Sequence, residues 1–108
     1  MKVVLCKVGE EAQIADITND LETLQDIVGG YIEIIHPFED RECCMVLNDI
    51  GKLIPLIPNR SVQYPSGSKD IIHGDFVICY APPYEEDFTD MPDDLAEKYR
   101  KMFEHPWL

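Results

Sequence analysis

The stretch NDLETLQDIVGGYIE, residues 19–33, contains the clearest secondary-structure signal in this chain of 108 residues. Four aliphatic residues recur at helical spacing and predict one apolar helix face: Leu21, Leu24, Ile27 and Val28. Asn19 is the predicted N-cap, because Glu22 follows it three residues later as in a capping box. Gly29 or Gly30 supplies a left-handed stop, after which a strand begins.

Runs typical of strands flank this helix on both sides. They are KVVLCKV (2–8), AQIADI (12–17), YIEIIHP (31–37), ECCMVLN (42–48) and GDFVICYAP (74–82). The stretch SVQYPSGSKD (61–70) predicts a polar loop, and a second helix is predicted from Met91 to Phe103. We predict an α+β fold: a curved, mostly antiparallel sheet of about five to six strands with two helices on one face. One helix follows the N-terminal strands and the other is C-terminal.

Composition indicates one globular domain over residues 1–108, with 83–90 as an acidic connector to the C-terminal helix. Hydrophobic residues make up 45% of the chain and charged residues 28%. No apolar run approaches the roughly 18 residues of a membrane helix, and the N-terminus lacks the apolar core of a signal peptide. We therefore expect a cytoplasmic protein.

The four cysteines all lie in runs that predict strands, which favours buried thiols over disulfides or a metal site. Cys43 and Cys44 are adjacent, so a strand would direct them to opposite faces. No motif of a known catalytic or cofactor site is present, and we expect a protein that is not an enzyme and has no cofactor and no metal.

The formal net charge of −12 disfavours direct binding to nucleic acid or to an anionic membrane, since both need cations to neutralise phosphates. Such acidity often only maintains solubility. It also suits a protein that imitates the charge of DNA and occupies a DNA-binding partner.

The stretch GKLIPLIPNR, residues 51–60, is the first candidate site. Residues 41–69 carry four cations and two acids, against the trend of the chain. A guanidinium, an ammonium and an amide beside a proline-stiffened backbone suit an anionic ligand. The candidate ligand-binding residues are Lys52, Asn59 and Arg60, with Tyr31 and Glu33 on the strand that follows the glycine pair. The alternative is that Arg60 pairs with a local carboxylate and Asn59 caps a turn.

The acidic segment near the C-terminus is the second candidate, as a surface for a protein partner. Its residues are Glu85, Glu86, Asp87, Asp90, Asp93 and Asp94. The alternative is a solvated start of the last helix, where carboxylates meet the helix dipole favourably.

The pieces GGYIE (29–33), NDIGKL (48–53), PNR (58–60) and IIHGDFVI (71–78) together resemble a widespread family of small proteins of unknown function. Members of that family are typically encoded by bacteriophages and by plasmid or integrative elements. The resemblance implies no catalytic residue. It implies a protein that regulates a host process or counteracts a host defence.

Three functions follow from these observations. The first is a non-enzymatic protein that binds a small anionic ligand, such as a nucleotide-like molecule, near residues 51–60. The second is an acidic inhibitor of a host DNA-binding or defence enzyme, and the third is a structural or regulatory subunit without a ligand. Free sheet edges and the aromatic tail with Trp107 are compatible with a homo-oligomer.

Overall fold

The computed structural model describes residues 1–106, so the predicted contribution of Trp107 lies outside the described residues. Its seven strands and two helices confirm the α+β class. In chain order they are β1 (Lys2–Cys6), β2 (Gln13–Asp16), α1 (Leu21–Val28), β3 (Ile32–Ile35), β4 (Cys43–Asn48), β5 (Pro58–Gln63), β6 (Lys69–His73), β7 (Phe76–Tyr80) and α2 (Asp93–Met102).

Five strands form one antiparallel sheet in the order β2-β1-β7-β4-β3, and β5 and β6 form a separate antiparallel hairpin. The central strand is β7, where Ile78 lies opposite Val4 of β1 and Met45 of β4. The outer edges of the large sheet belong to β2 and β3.

The two helices lie on opposite faces of this sheet, so the expectation that both cover one face is wrong. Helix α1 packs through Leu24 and Val28 on one face, in a core with Val3, Leu5, Cys44, Val46, Val77 and Cys79. The other face packs against α2 and the hairpin, and its core includes Val4, Cys6, Met45, Ile72, Phe76, Ile78 and Tyr99. The central strands are apolar at consecutive positions rather than at alternate ones, and such strands need cover on both faces.

The N-cap of α1 is Asp20 and not Asn19. The Asp20 carboxylate accepts a hydrogen bond from the backbone N–H of Thr23 at 2.7 Å. Hydrogen bonding from the Thr23 side chain and from this N–H holds the pKa of Asp20 below its usual range. The Asn19 amide instead donates to the carbonyl oxygen of Phe88 at 2.8 Å. The helix stops at Gly29 with φ 78°, as the sequence predicted.

The prediction of a polar loop over residues 61–70 is wrong at both ends, because residues 61–63 belong to β5 and residues 69–70 belong to β6. Arg60 and Val62 are buried while Ser61 and Gln63 are exposed, which is the alternation of a half-buried strand. Pro58 is the first residue of β5, a position where a missing backbone donor is tolerated.

Residues 49–57 form a turn that packs against the end of β6. Leu56 lies over Gly74, where an added Cβ would come within 2.6 Å of the Leu56 Cδ1 atom. A Cβ on Gly51 would lie 3.0 Å from the carbonyl oxygen of His73. His73 Nδ1 is 2.8 Å from the carbonyl oxygen of Leu56, so the ring donates there. These contacts fix the turn with Leu56 inward.

All four cysteines are free and buried, as predicted. Cys43 packs on the α2 side of the sheet and Cys44 on the α1 side, which confirms their opposite directions. Within residues 1–106, no helix is both long enough and apolar enough to cross a membrane.

Candidate functional site

Asn59 lies inside the protein at the start of β5. Its side chain is part of a residue that is 1% exposed, and its amide donates to the carbonyl oxygens of Cys6 at 2.9 Å and Gly74 at 2.8 Å. The Asn59 amide therefore joins β1 to the turn that precedes β7. Its Oδ1 atom accepts from Arg60 at 2.6 Å, so both ends of the amide are occupied.

Arg60 is also buried, at 3% exposure, and its guanidinium donates almost entirely to backbone carbonyl oxygens. Nε and Nη2 donate to Phe103 at 3.1 and 3.0 Å, and Nη2 also donates to Glu10 at 2.6 Å. Nη1 is 3.4 Å from the carbonyl oxygen of Lys7. The carbonyl of Phe103 lies at the C-terminal end of α2, where the helix dipole favours a cation. Through these hydrogen bonds Arg60 connects the β5–β6 hairpin to the C-terminal end of α2 and to the turn between β1 and β2.

These contacts correct the expectation that Asn59 and Arg60 hold an external ligand. Both side chains are satisfied within the protein and neither faces solvent. The alternative of an Arg60–carboxylate pair does not agree with the geometry either, since among residues 1–106 no carboxylate forms an ion pair with Arg60. No pattern in the sequence predicts that the hydrogen-bond partners of Arg60 are backbone carbonyl oxygens.

Lys52 and Glu33 border one cavity of about 310 Å³ between the 49–57 turn, β4 and β6. Lys52 is half-exposed and forms an ion pair with Asp70 rather than with Glu33. Asp49 also lines this cavity, so carboxylates outnumber the ammonium group there. Of the five candidate ligand residues, Lys52 and Glu33 share this cavity, while Asn59 and Arg60 are hydrogen-bonded to each other inside the protein.

Tyr31 lies apart from that cavity and is 75% exposed, directly after the glycine pair. Its carbonyl oxygen accepts from the backbone N–H of Asp49 at 3.1 Å. Gly30 gives room for Asn48, whose amide donates to the carbonyl oxygen of Val28 at 3.1 Å. Gly30, Asn48, Asn59 and Arg60, which belong to the pieces GGYIE, NDIGKL and PNR, therefore hold the backbones of neighbouring segments together.

The acidic candidate residues form two groups in space. Glu85, Glu86 and Asp87 lie on the connector between β7 and α2, and all three are exposed. This connector is held by the bond from Asn19 to the carbonyl of Phe88 and by a bridge between Tyr80 and Thr89. Within residues 1–106, none of the three carboxylates forms an ion pair.

The second acidic group lies at the start of α2, beside β1. Asp90 accepts from the backbone N–H of Lys2 at 2.7 Å, and Asp93 forms an ion pair with the Lys2 ammonium. This pair holds the pKa of Asp93 below its usual range. Asp94 is exposed in the first turn of α2. Two of these three carboxylates are thus engaged by the protein itself.

The connector carboxylates Glu85, Glu86 and Asp87 border a cavity of about 370 Å³ between α1, β3 and the connector. We call this cavity the acidic groove. Its polar border is Asn19, Asp20, Glu85, Glu86 and Asp87, and its apolar floor is Leu21, Leu24, Ile32, Ile34, Ala81 and Phe88. Leu21 and Ile34 are exposed although they are large and apolar.

The sequence around the acidic groove contains no compensating cation. Residues 8–40 hold nine Asp or Glu and no Lys or Arg, and residues 70–97 again hold nine and none. The first segment supplies α1 and β3, and the second supplies the connector. Sequence reasoning identified the connector but missed α1 and β3 as its partners, although these two cation-free segments are visible in the sequence.

A cluster that sequence reasoning missed lies on the opposite face. Asp40 accepts hydrogen bonds from Lys98 and from the hydroxyl of Tyr99, each at 2.6 Å. The hydrogen bonds from Lys98 and Tyr99 hold the pKa of Asp40 below its usual range, and burial together with Asp40 raises the pKa of Tyr99. The partners are 58 and 59 residues away in sequence, so spacing gave no signal.

The buried thiols are poorly suited to act as nucleophiles. Burial raises the pKa of Cys6 and Cys43 to about 12 and of Cys44 to about 11, and it raises the pKa of Cys79 as well. A nucleophilic cysteine needs its thiolate form near neutral pH. No group of three or more His, Cys, Asp or Glu side chains within residues 1–106 is arranged to hold a metal ion.

Fold and site together define a small antiparallel α+β domain with an acidic groove beside its N-terminal helix. A family model described as a domain of unknown function, DUF3846, matches residues 1–104, and the chain belongs to that family. No curated protein and no solved structure matches the chain.

Proposed function

We propose that the protein acts by binding, without catalysis, and that the acidic groove holds a basic amphipathic segment of a host protein. The observation that carries this proposal is that two cation-free segments, 8–40 and 70–97, meet at a groove with an apolar floor. Unpaired carboxylates attract Lys and Arg, while the exposed Leu21 and Ile34 offer apolar area to the same partner. The buried, high-pKa thiols support binding over nucleophilic catalysis.

The host and the cytosolic setting come from the resemblance to phage and mobile-element proteins. A host protein that binds DNA carries clustered Lys and Arg for phosphate contacts. The carboxylates of Glu85, Glu86 and Asp87 would occupy such a surface, and the host process would thereby be blocked. Carboxylates attract cations at long range, so association should be fast and sensitive to salt.

A defined probe tests the proposal without knowledge of the natural partner. The probe is a fluorescent synthetic peptide with Lys on one helical face and Leu on the other, and its binding is followed by anisotropy. A second peptide of equal charge in which Ser replaces Leu measures the contribution of the apolar floor. We expect the Lys/Leu peptide to bind more tightly, because it fills both parts of the groove.

Charge reversal then locates the site. The triple variant Glu85→Lys, Glu86→Lys, Asp87→Lys should weaken binding of the Lys/Leu peptide by at least about tenfold, since three desolvated or partly desolvated charge pairs are lost.

The matched control is Glu10→Lys, Glu11→Lys, Glu39→Lys. These exposed carboxylates lie away from the groove and give the same change in net charge. Because the Debye length is about 8 Å at physiological salt, this control should bind the peptide nearly as the parent protein does. Equal losses in the two triple variants would contradict a localised site, and so would equal affinity for the two peptides.

The small anionic ligand is the second candidate function, and it is now restricted to Lys52. Lys52 shares a wider cavity of about 680 Å³ with Ser61, Lys69 and His73, which offers two ammonium groups and a hydroxyl. Asp70 lines the same cavity and already pairs with Lys52, which weakens this candidate. Thermal-shift measurements with nucleotides decide between the two functions: a shift lost in Lys52→Ala and kept in Lys101→Ala would favour the ligand. If neither peptide nor nucleotide binds, the structural or regulatory role is the one left.

A further inference from the structure

A second surface, separate from the acidic groove, is formed by aliphatic side chains of the 49–57 turn and the adjacent strand β6. Its members are Ile50, Leu53, Ile54, Ile57 and Ile71, and all five are exposed. We call this surface the aliphatic patch. Leu53 is 81% exposed and Ile57 is 66% exposed, although both belong to the residue types most often buried in folded proteins.

The turn holds these side chains outward by fixing its own backbone. The N–H groups of Leu53 and Ile54 both donate to the carbonyl oxygen of Ile50, at 2.9 and 3.2 Å. The N–H of Leu56 donates to Gly51, and the N–H of Gly74 donates to Ile57 at 2.8 Å. Because Leu56 is the side chain packed inward against Gly74, its neighbours are left to face solvent. The patch is therefore presented by an ordered turn.

Exposed apolar patches of a few hundred Å² on a soluble protein mark interaction sites. Five aliphatic residues with exposed fractions of 38–81% supply apolar area on roughly that scale. Standard interfaces bury about 800 Å² on each partner including a polar rim. The patch can thus form the apolar centre of an interface that has a polar rim.

The charge of the rim decides which partner fits. The charged residues beside the patch are three acids and two cations: Glu33, Asp49, Asp70, Lys52 and Lys69. The remaining cation of residues 49–71, Arg60, is buried. The rim therefore carries a formal charge of only −1 (two cations against three acids), in a chain whose formal net charge is −12.

We propose that the aliphatic patch is the self-association surface of a symmetric homodimer. Two copies of a strongly acidic protein repel each other least where the local charge cancels. In a two-fold interface the same surface meets itself, so Lys52 and Lys69 of one copy can lie opposite carboxylates of the other. A basic partner would gain little from a rim whose charges nearly cancel, and an anionic membrane would be repelled by the rest of the molecule. The patch and the acidic groove share no residue, so dimerisation leaves the groove open.

Sedimentation equilibrium over a wide concentration range tests the proposal. We expect a mass of twice the monomer mass of 12.4 kDa at high concentration, with dissociation on dilution. The variant Leu53→Glu, Ile57→Glu should associate at least about 100-fold more weakly, because apolar anchors at an interface centre dominate its affinity. Both side chains are mostly exposed, so its far-UV circular dichroism should equal that of the parent.

Tyr84→Glu is the matched control, since Tyr84 is 78% exposed but lies on the connector, outside the patch. This variant should dimerise as the parent does. A parent protein that stays at 12.4 kDa at all concentrations would overturn the proposal, as would a double variant that dimerises unchanged. Co-sedimentation with phosphatidylcholine–phosphatidylserine vesicles adds a further arm: a monomeric parent that binds them through Leu53 would overturn the homodimer in favour of a membrane contact.

Discussion

Replacing Arg60 by methionine should destabilise the fold far more than replacing any exposed cation. The Arg60 guanidinium donates to the carbonyl oxygens of Lys7, Glu10 and Phe103 and to the Asn59 side chain. Methionine fills a similar volume and donates to none of them. The variant therefore leaves these acceptors without the Arg60 donor, in a site where Arg60 itself is only 3% exposed.

The expected magnitude follows from the burial of these groups. Hydrogen bonds from a charged donor contribute about 1.5–3 kcal/mol each, but removing the buried cation also removes its desolvation cost. A net loss of about 3–5 kcal/mol is therefore expected, which is a large part of the roughly 5–15 kcal/mol that stabilises a typical domain. For a domain of about this length, the melting temperature should fall by at least about 12 °C.

Urea unfolding followed by far-UV circular dichroism measures this loss. Lys52→Met is the matched control, because Lys52 is a half-exposed cation in a surface ion pair and should cost no more than about 1 kcal/mol. Arg60→Lys should lie between the two, since an ammonium group keeps the charge but cannot reach all the oxygens that the planar fork reaches. A loss below about 1 kcal/mol of unfolding free energy in Arg60→Met would refute the conclusion that the internal hydrogen bonds of Arg60 stabilise the fold.

Three further predictions concern the core and its surroundings. Gly74→Ala should cost about 1–3 kcal/mol more than Gly67→Ala, because both glycines have positive φ but only Gly74 faces Leu56 at 2.6 Å; equal losses in urea unfolding would contradict this packing. The four cysteines should react with a thiol reagent at pH 8 only after urea unfolding, and rapid labelling of the folded protein would show that a thiol is accessible. Asp40→Asn should destabilise the protein at pH 7, because hydrogen bonds from Lys98 and Tyr99 lower the pKa of Asp40 in the folded protein. The charged carboxylate therefore stabilises the fold at any pH above the pKa that Asp40 has in the unfolded chain, and this stability is lost as the pH falls. The difference between parent and variant should therefore shrink in unfolding measurements below about pH 4, and a constant difference from pH 7 to pH 3 would be inconsistent with that coupling.

The hydrophobic periodicity of the sequence is sufficient to predict most helices and strands of the fold. The helix over 21–28 and its glycine stop are local features, and so are the apolar runs of the central strands. The placement of the two helices on opposite faces was also visible in principle, because Val3 and Val4 are both apolar and face different layers. The hairpin over 58–73 was missed because its strands are short and carry several polar residues.

The candidate site was harder to predict, because it depends on which distant segments meet. Arg60 looked like a surface cation beside carboxylates, and only the folded chain shows backbone carbonyls from residues 7, 10 and 103 around it. The acidic groove unites residues 19–34 with residues 81–88, and no local pattern links these two stretches. What the sequence does show is that both stretches lack cations.

The most direct test of the account is a titration of ¹⁵N-labelled protein with the Lys/Leu peptide, followed by amide chemical shifts. The central claim is that the acidic groove is the binding surface. We expect the largest shifts on α1, on β3 and on the connector, around Leu21, Ile34 and Asp87. Shifts concentrated on α2 or on the 49–57 turn, or small shifts spread evenly over all acidic surfaces, would contradict it.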